Sequence, residues 1–171
     1  MIRLFAALEI PDAVRQRLVL LSGGVPGARW MKEEQLHLTL RFIGEVPENV
    51  AHDIDDALSA IRAPGFMMEI AGMGEFGGKN PRALWAGVRP NEALLHLQKK
   101  IDTALQRIGL APDERKFSAH VTLARLKAAP RDKVMAFLSH HALFSSGPFP
   151  VQQFVLFSSH QGSGEIGRAH V

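Results

Sequence analysis

A single arrangement occurs twice along this chain: an apolar strand, a helix opened by proline, and then an alternating strand that carries His-x-Thr-Leu. In the first copy the strand spans residues 2–10, the helix starts at Pro11-Asp12, and the motif is His37-Leu38-Thr39-Leu40. In the second the strand is Ala83-Leu84-Trp85-Ala86-Gly87-Val88, the helix starts at Pro90-Asn91-Glu92, and the motif is His120-Val121-Thr122-Leu123. The prolines lie 79 residues apart and the histidines 83, so a few loop residues absorb the difference. Two copies are too few for a solenoid, which gains stability by stacking many units. They predict two similar lobes related by an approximate two-fold axis.

Local signals fill in the rest. Proline fits the first turn of a helix, where its missing N–H is not needed, and Asp12 suits the positive helix end. Val14, Leu18 and Leu21 form one apolar stripe; Val50, Ile54, Leu58 and Ile61 form another after Pro47; Leu94, Leu97, Ile101, Leu105 and Ile108 form a third. A shorter helix is expected over residues 130–141, with Val134, Phe137 and Leu138 inward. Strands are expected over residues 28–31, 36–42, 67–71, 117–125 and 151–158, with a glycine-rich connection over 72–78.

Side chains alternate between the two faces of a strand. His37, Thr39 and Arg41 therefore share one face, and Leu36, Leu38, Leu40 and Phe42 the other. His120 and Thr122 share a face, opposite Val121 and Leu123. One His-x-Thr is a weak signal, but two copies on alternating strands at matching places in a repeat are much harder to obtain by chance. The chemistry explains the value of such a pair. Cleaving a phosphodiester takes a base to remove a proton from the nucleophile and an acid to protonate the leaving oxygen, and histidine does either near neutral pH. In-line displacement puts attacking and leaving oxygens on opposite sides of phosphorus, where two-fold-related imidazoles can flank them. Thr39 and Thr122 supply hydroxyl donors for the phosphoryl oxygens. Arg41 and Arg125 add positive charge, although Arg125 nominally faces away from His120.

Composition narrows the classes. The chain has no cysteine, which excludes disulfides, thiolate metal sites and cysteine nucleophiles and suits a reducing cytoplasm. No apolar run approaches the ~18 residues of a membrane span, and Glu9 and Pro11 interrupt the apolar N-terminus before it reaches leader length. A net charge of +3 is compatible with a polyanionic partner without establishing one. Gly72, Gly74, Gly77 and Gly78 form neither a dinucleotide nor a Walker motif, so no nucleotide cofactor is expected. His52, His96, His140, His141 and His160 read as surface residues. Adjacent residues on a helix do not face one site, so no metal site is expected at His140-His141. Trp30 is a candidate for stacking a base in the cleft; Phe76 reads as packing.

These residues resemble the 2H phosphoesterase superfamily, specifically the RNA 2′,3′-cyclic phosphodiesterases also called 2′-5′ RNA ligases. The matching segments are Arg3-Leu4-Phe5-Ala6-Ala7-Leu8, Arg29-Trp30, His37-Leu38-Thr39-Leu40-Arg41-Phe42-Ile43-Gly44, Leu84-Trp85-Ala86-Gly87-Val88 and His120-Val121-Thr122-Leu123-Ala124-Arg125. The resemblance implies an α+β fold of two pseudo-symmetric lobes, with antiparallel sheets facing a central cleft and helices outside. It implies a metal-independent, cofactor-free hydrolysis of RNA terminal 2′,3′-cyclic phosphate to a 2′-phosphate, with 2′-5′ ligation as the reverse-type reaction. His37 would protonate the 3′ oxygen and His120 would activate water. The residues themselves, being near mirror copies, leave those two roles interchangeable. Other readings are a phosphodiesterase for 2′-5′ oligonucleotides or small cyclic nucleotides, and a noncatalytic nucleotide- or RNA-binding module. A monomer is expected.

The resemblance weakens at the C-terminus. Ser158 stands where the family often has arginine, and residues 165–171 do not resemble the family's last strand. The codons GAG ATC GGA AGA GCA CAC GTC would encode that heptapeptide and read like a sequencing adapter. The expectation is therefore one bilobal domain over residues 1–164, with its last strand missing, followed by a non-native tail over 165–171.

Overall fold

A computed structural model of the chain describes residues 1–159 and 163–170; His160 lies outside them. Among these residues nine strands and four α-helices run β1 (Ile2–Glu9), α1 (Asp12–Val19), β2 (Ala28–Trp30), β3 (His37–Val46), α2 (Glu48–Ser59), β4 (Phe66–Phe76), β5 (Ala83–Val88), α3 (Glu92–Arg107), β6 (His120–Leu126), α4 (Arg131–His140), β7 (Ser145–Val151), β8 (Gln153–Ser159) and β9 (Ser163–His170). A 3-10 turn, Glu33–Gln35, precedes β3. No helix among the described residues is long and apolar enough to cross a membrane.

The fold is α+β with two antiparallel lobes, as expected, and the two sheets are continuous. Strand order is β7-β4-β5-β6-β3-β1-β8-β9, with β2 added beside β6. The lobes join where β3 meets β6 at one antiparallel pair, Leu38 and Val121. Reading outward from that junction, β3 corresponds to β6, β1 to β5, β8 to β4 and β9 to β7. The sequence halves do not coincide with these lobes. β4, from the first half, crosses to pair with β5, and β8 returns to pair with β1.

The predicted apolar stripes form the core. Leu18, Ile54, Leu58, Leu94, Leu97, Ile101, Leu105 and Val134 are buried against the sheet face that carries Leu38, Leu40, Val121 and Leu123. Removing each such side chain from water contributes roughly 1.5–3 kcal/mol. Asn91 caps α3 by accepting the Leu94 N–H at 3.0 Å.

Two elements depart from the sequence expectation. β4 runs through the glycine-rich stretch to Phe76 because the indole of Trp85 lies on Gly74, where a Cβ would sit 2.2 Å from the ring. The prolines Pro148 and Pro150 conceal β7, which tolerates them because it lies at the end of the strand order. A further strand, Ser163–His170, pairs antiparallel with β8.

Candidate active site

The Leu38–Val121 junction fixes what faces what. Both side chains are fully buried, so the residues on either side of each point to the opposite, open face. Extending the antiparallel register by one residue sets His37 across from Thr122 and Thr39 across from His120. Direct cross-strand neighbours have Cβ atoms about 5 Å apart and diagonal ones about 7–8 Å. The two imidazoles, being diagonal, flank a space that suits one phosphorus atom. All four side chains line one cavity of about 540 Å³.

Each strand then bulges. Ala7 pairs with Thr39 but Ala6 with Arg41, so Leu40 is an extra residue in β3. Trp85 pairs with Thr122 but Leu84 with Ala124, so Leu123 is extra in β6. An extra residue reverses the alternation beyond it. Strict alternation predicts Arg41 in the cleft and Phe42 in the core; the structure corrects both. Arg41 is 8% exposed and points away from the cavity, bonded to Asp102. Phe42 is 47% exposed and lines the cavity. The same bulge in β6 turns Arg125 into the cavity and buries Ala124. Positions 37, 39 and 42 thus correspond to 120, 122 and 125.

The sequence fits the model of the 2′-5′ RNA ligase superfamily over residues 11–163. The chain belongs to that superfamily. An Aeropyrum pernix protein named RNA 2′,3′-cyclic phosphodiesterase is 40% identical over 108 residues, which cover 62% of this chain and 61% of that one. An Archaeoglobus fulgidus protein of the same name is 30% identical over 161 residues, covering 92% and 90%. Among solved structures, Escherichia coli LigT in apo form is similar with a TM-score of 0.79 at 25% identity, covering 99% of this chain and 96% of LigT.

The two histidines sit in different surroundings. The His37 ring stacks on Phe5 at 4.9 Å and on Phe157 at 5.6 Å. Phe157, Phe5 and Phe42 form a row, because Phe5 pairs with Phe157 on β8 and with Phe42 on β3. Burial among these rings pushes the His37 imidazole down to about 4, so it is neutral at pH 7. The His120 ring is held at its edge by Phe76, 5.0 Å between centroids, and its Nδ1 lies 2.7 Å from the Ser118 carbonyl oxygen. A carbonyl only accepts, so Nδ1 carries a hydrogen and Nε2 is left to accept or give a proton.

The remaining lining residues set charge and shape. Arg3, Arg29 and Arg125 contribute positive charge, and Arg29 pairs with Arg125 across β2 and β6. Glu34 and Gln35 enter from the 3-10 turn. Trp30 lines the cavity as expected while leaning on Phe137 at 5.4 Å. Sequence reasoning missed Phe5, Phe42 and Phe157 as site residues. The available signal was aromatic character at three strand positions, which reads equally well as core. At the far end of α4, the His140 and His141 rings meet edge to face at 4.7 Å. No group of three or more His, Asp or Glu that could hold a metal gathers among the described residues.

Proposed function

We propose that this chain opens a 2′,3′-cyclic phosphate at the end of an RNA to a 2′-phosphate, with His37 and His120 as its acid–base pair and no metal or cofactor. The observation that carries this reading is the convergence of both His-x-Thr pairs on one cavity across the Leu38–Val121 junction. The names of the Aeropyrum and Archaeoglobus relatives support the same substrate class.

In the reaction, one imidazole takes a proton from water as the water oxygen bonds to phosphorus. The bond from phosphorus to the 3′ oxygen breaks, and the other imidazole protonates that oxygen. Thr39 and Thr122 donate to the two non-bridging oxygens, Arg125 offsets their charge, and Trp30 offers a face for a base. A 5′-hydroxyl in place of water would give a 2′-5′ linkage by the same steps.

The resemblance makes His37 the acid. Burial favours its neutral form, so that role needs the substrate's negative charge to draw a proton onto the ring. The aromatic surroundings of His37 and the carbonyl behind His120 favour a second reading, with His37 as base and His120 as acid. A substrate whose 3′ oxygen is replaced by sulfur distinguishes them. Thiolate leaves without protonation, so only the variant lacking the acid regains activity on it.

We also propose a cytoplasmic monomer, consistent with the absence of cysteine, and a non-native tail over residues 165–171. A genomic clone that reads through the codons for 165–171 would remove the last idea. The test of function is incubation, in excess chelator, with RNA ending in a cyclic phosphate, with 2′,3′-cyclic nucleotides and with 2′-5′ oligonucleotides. A 2′-phosphate on the RNA is expected. Turnover confined to either of the other substrates would replace the reading, and tight binding without turnover would make the chain a binding module.

A further inference from the structure

We propose that Arg41, Asp102 and Gln98 form a clamp behind the cleft that holds the β3 bulge and thereby presents Phe42 as the wall against which the substrate's terminal nucleoside packs. This rests on the nucleotide reading of the cavity. Arg41 Nε donates to Asp102 Oδ1 at 2.9 Å, Nη1 to the Phe42 carbonyl at 2.6 Å, and Nη2 to the Ala111 carbonyl at 2.7 Å. Gln98 Nε2 donates to the Leu40 carbonyl at 3.3 Å and to Asp102 Oδ2 at 3.0 Å. The carbonyls on both sides of Arg41 are therefore held by side chains of one network anchored on α3.

The second motif shows what the clamp replaces. Beyond Val121, the edge of β6 is covered by β2. The Met31 N–H donates to the Leu123 carbonyl at 2.9 Å, and Arg29 pairs with Arg125. Leu123 and Arg125 correspond to Leu40 and Phe42. Among the described residues, β3 pairs with β6 only at Leu38, so no strand covers its edge at Leu40 and Phe42. The Gln98 amide takes the place of the Met31 N–H, and the Arg41 guanidinium satisfies the Phe42 carbonyl. In β6, where a strand does this work, Ala124 occupies the position of Arg41. A buried guanidinium is costly unless paired and hydrogen-bonded, and here its bonds are spent on the bulge backbone. The result is a large apolar ring left half exposed in a cavity that also holds Trp30 and three arginines. That combination suits a base and its phosphate.

Double-mutant analysis tests the clamp. Phe42→Ala is expected to raise KM for a 2′,3′-cyclic nucleotide about tenfold, with a smaller change in kcat, as loss of one stacking contact would. Arg41→Met should raise KM to a similar extent, and the double variant should be no worse than Phe42→Ala alone. An unchanged KM in Arg41→Met, or single effects that multiply to about a hundredfold, would overturn the clamp. Should Arg41→Met not fold, Gln98→Ala takes its place in the same cycle, because it frees the Leu40 carbonyl and keeps the ion pair. Calorimetric binding of adenosine 2′-phosphate repeats the cycle without turnover. A wild-type chain that binds this nucleotide but hydrolyses no cyclic phosphate sinks the proposed function while still testing the clamp. One that binds none sinks the clamp.

Discussion

The two motif strands begin as copies and end as opposites. Each offers histidine, threonine and, after a bulge, one more side chain to the same cavity. In β3 the sequence of environments is an imidazole between phenyl rings, then an exposed phenyl. In β6 it is an imidazole backed by a carbonyl, then a guanidinium. The first strand is supported by side chains from α3 and the second by a neighbouring strand. The His37 side of the cleft therefore carries the row Phe157, Phe5 and Phe42, and the His120 side carries Arg29 and Arg125. A duplicated scaffold supplies symmetric positions and leaves neighbouring residues to make the two surroundings differ.

The comparison can be broken most severely at the rings themselves. His37→Ala and His120→Ala are each expected to lower kcat about a thousandfold, measured at saturating cyclic nucleotide; near-wild-type turnover in either would end the pairing. Thr39→Val and Thr122→Val should each cost about a hundredfold if both hydroxyls meet the developing charge, and a loss in only one would mean that the two-fold arrangement does not extend to the phosphate. The aromatic side can be probed more gently. Phe157→Ala opens His37 to water, so its imidazole should rise from about 4 towards its ordinary range, moving the corresponding limb of the kcat/KM pH profile to higher pH. The same group links to stability. Its folded form resists protonation, so the stability it confers is complete above about pH 6.5 and lost as pH falls towards 4, up to about 3 kcal/mol. Urea titrations at pH 7 and pH 4.5 should therefore show a smaller acid loss in His37→Gln than in the wild-type chain.

What the sequence revealed follows from local chemistry. Leu94, Leu97, Ile101 and Leu105 announce α3 because helical spacing is a local property, and the recurrence of His-x-Thr announces the lobes because it repeats. His37, Thr39, His120 and Thr122 precede the bulges, so simple alternation places them correctly. Arg41, Phe42 and Arg125 follow the bulges, and nothing in Leu40 or Leu123 marks either as the extra residue; only pairing with Ala6-Ala7 and Leu84-Trp85 creates it. The crossing of β4 and the return of β8 were hidden for a related reason, since partners on non-adjacent segments leave no periodic trace. Prolines at 148 and 150 disguise β7 because an edge strand needs fewer N–H groups than the sequence pattern assumes.

The return of β8 to the first lobe also sets an order of assembly. The ring of Phe157 reaches His37 from 120 positions later in the chain. During synthesis the second lobe's strands β4 to β7 emerge as a continuous run, whereas the first histidine waits for nearly the whole polypeptide before its surroundings close. A nascent chain interrupted before residue 153 would carry both histidines and yet lack the Phe157 face against His37.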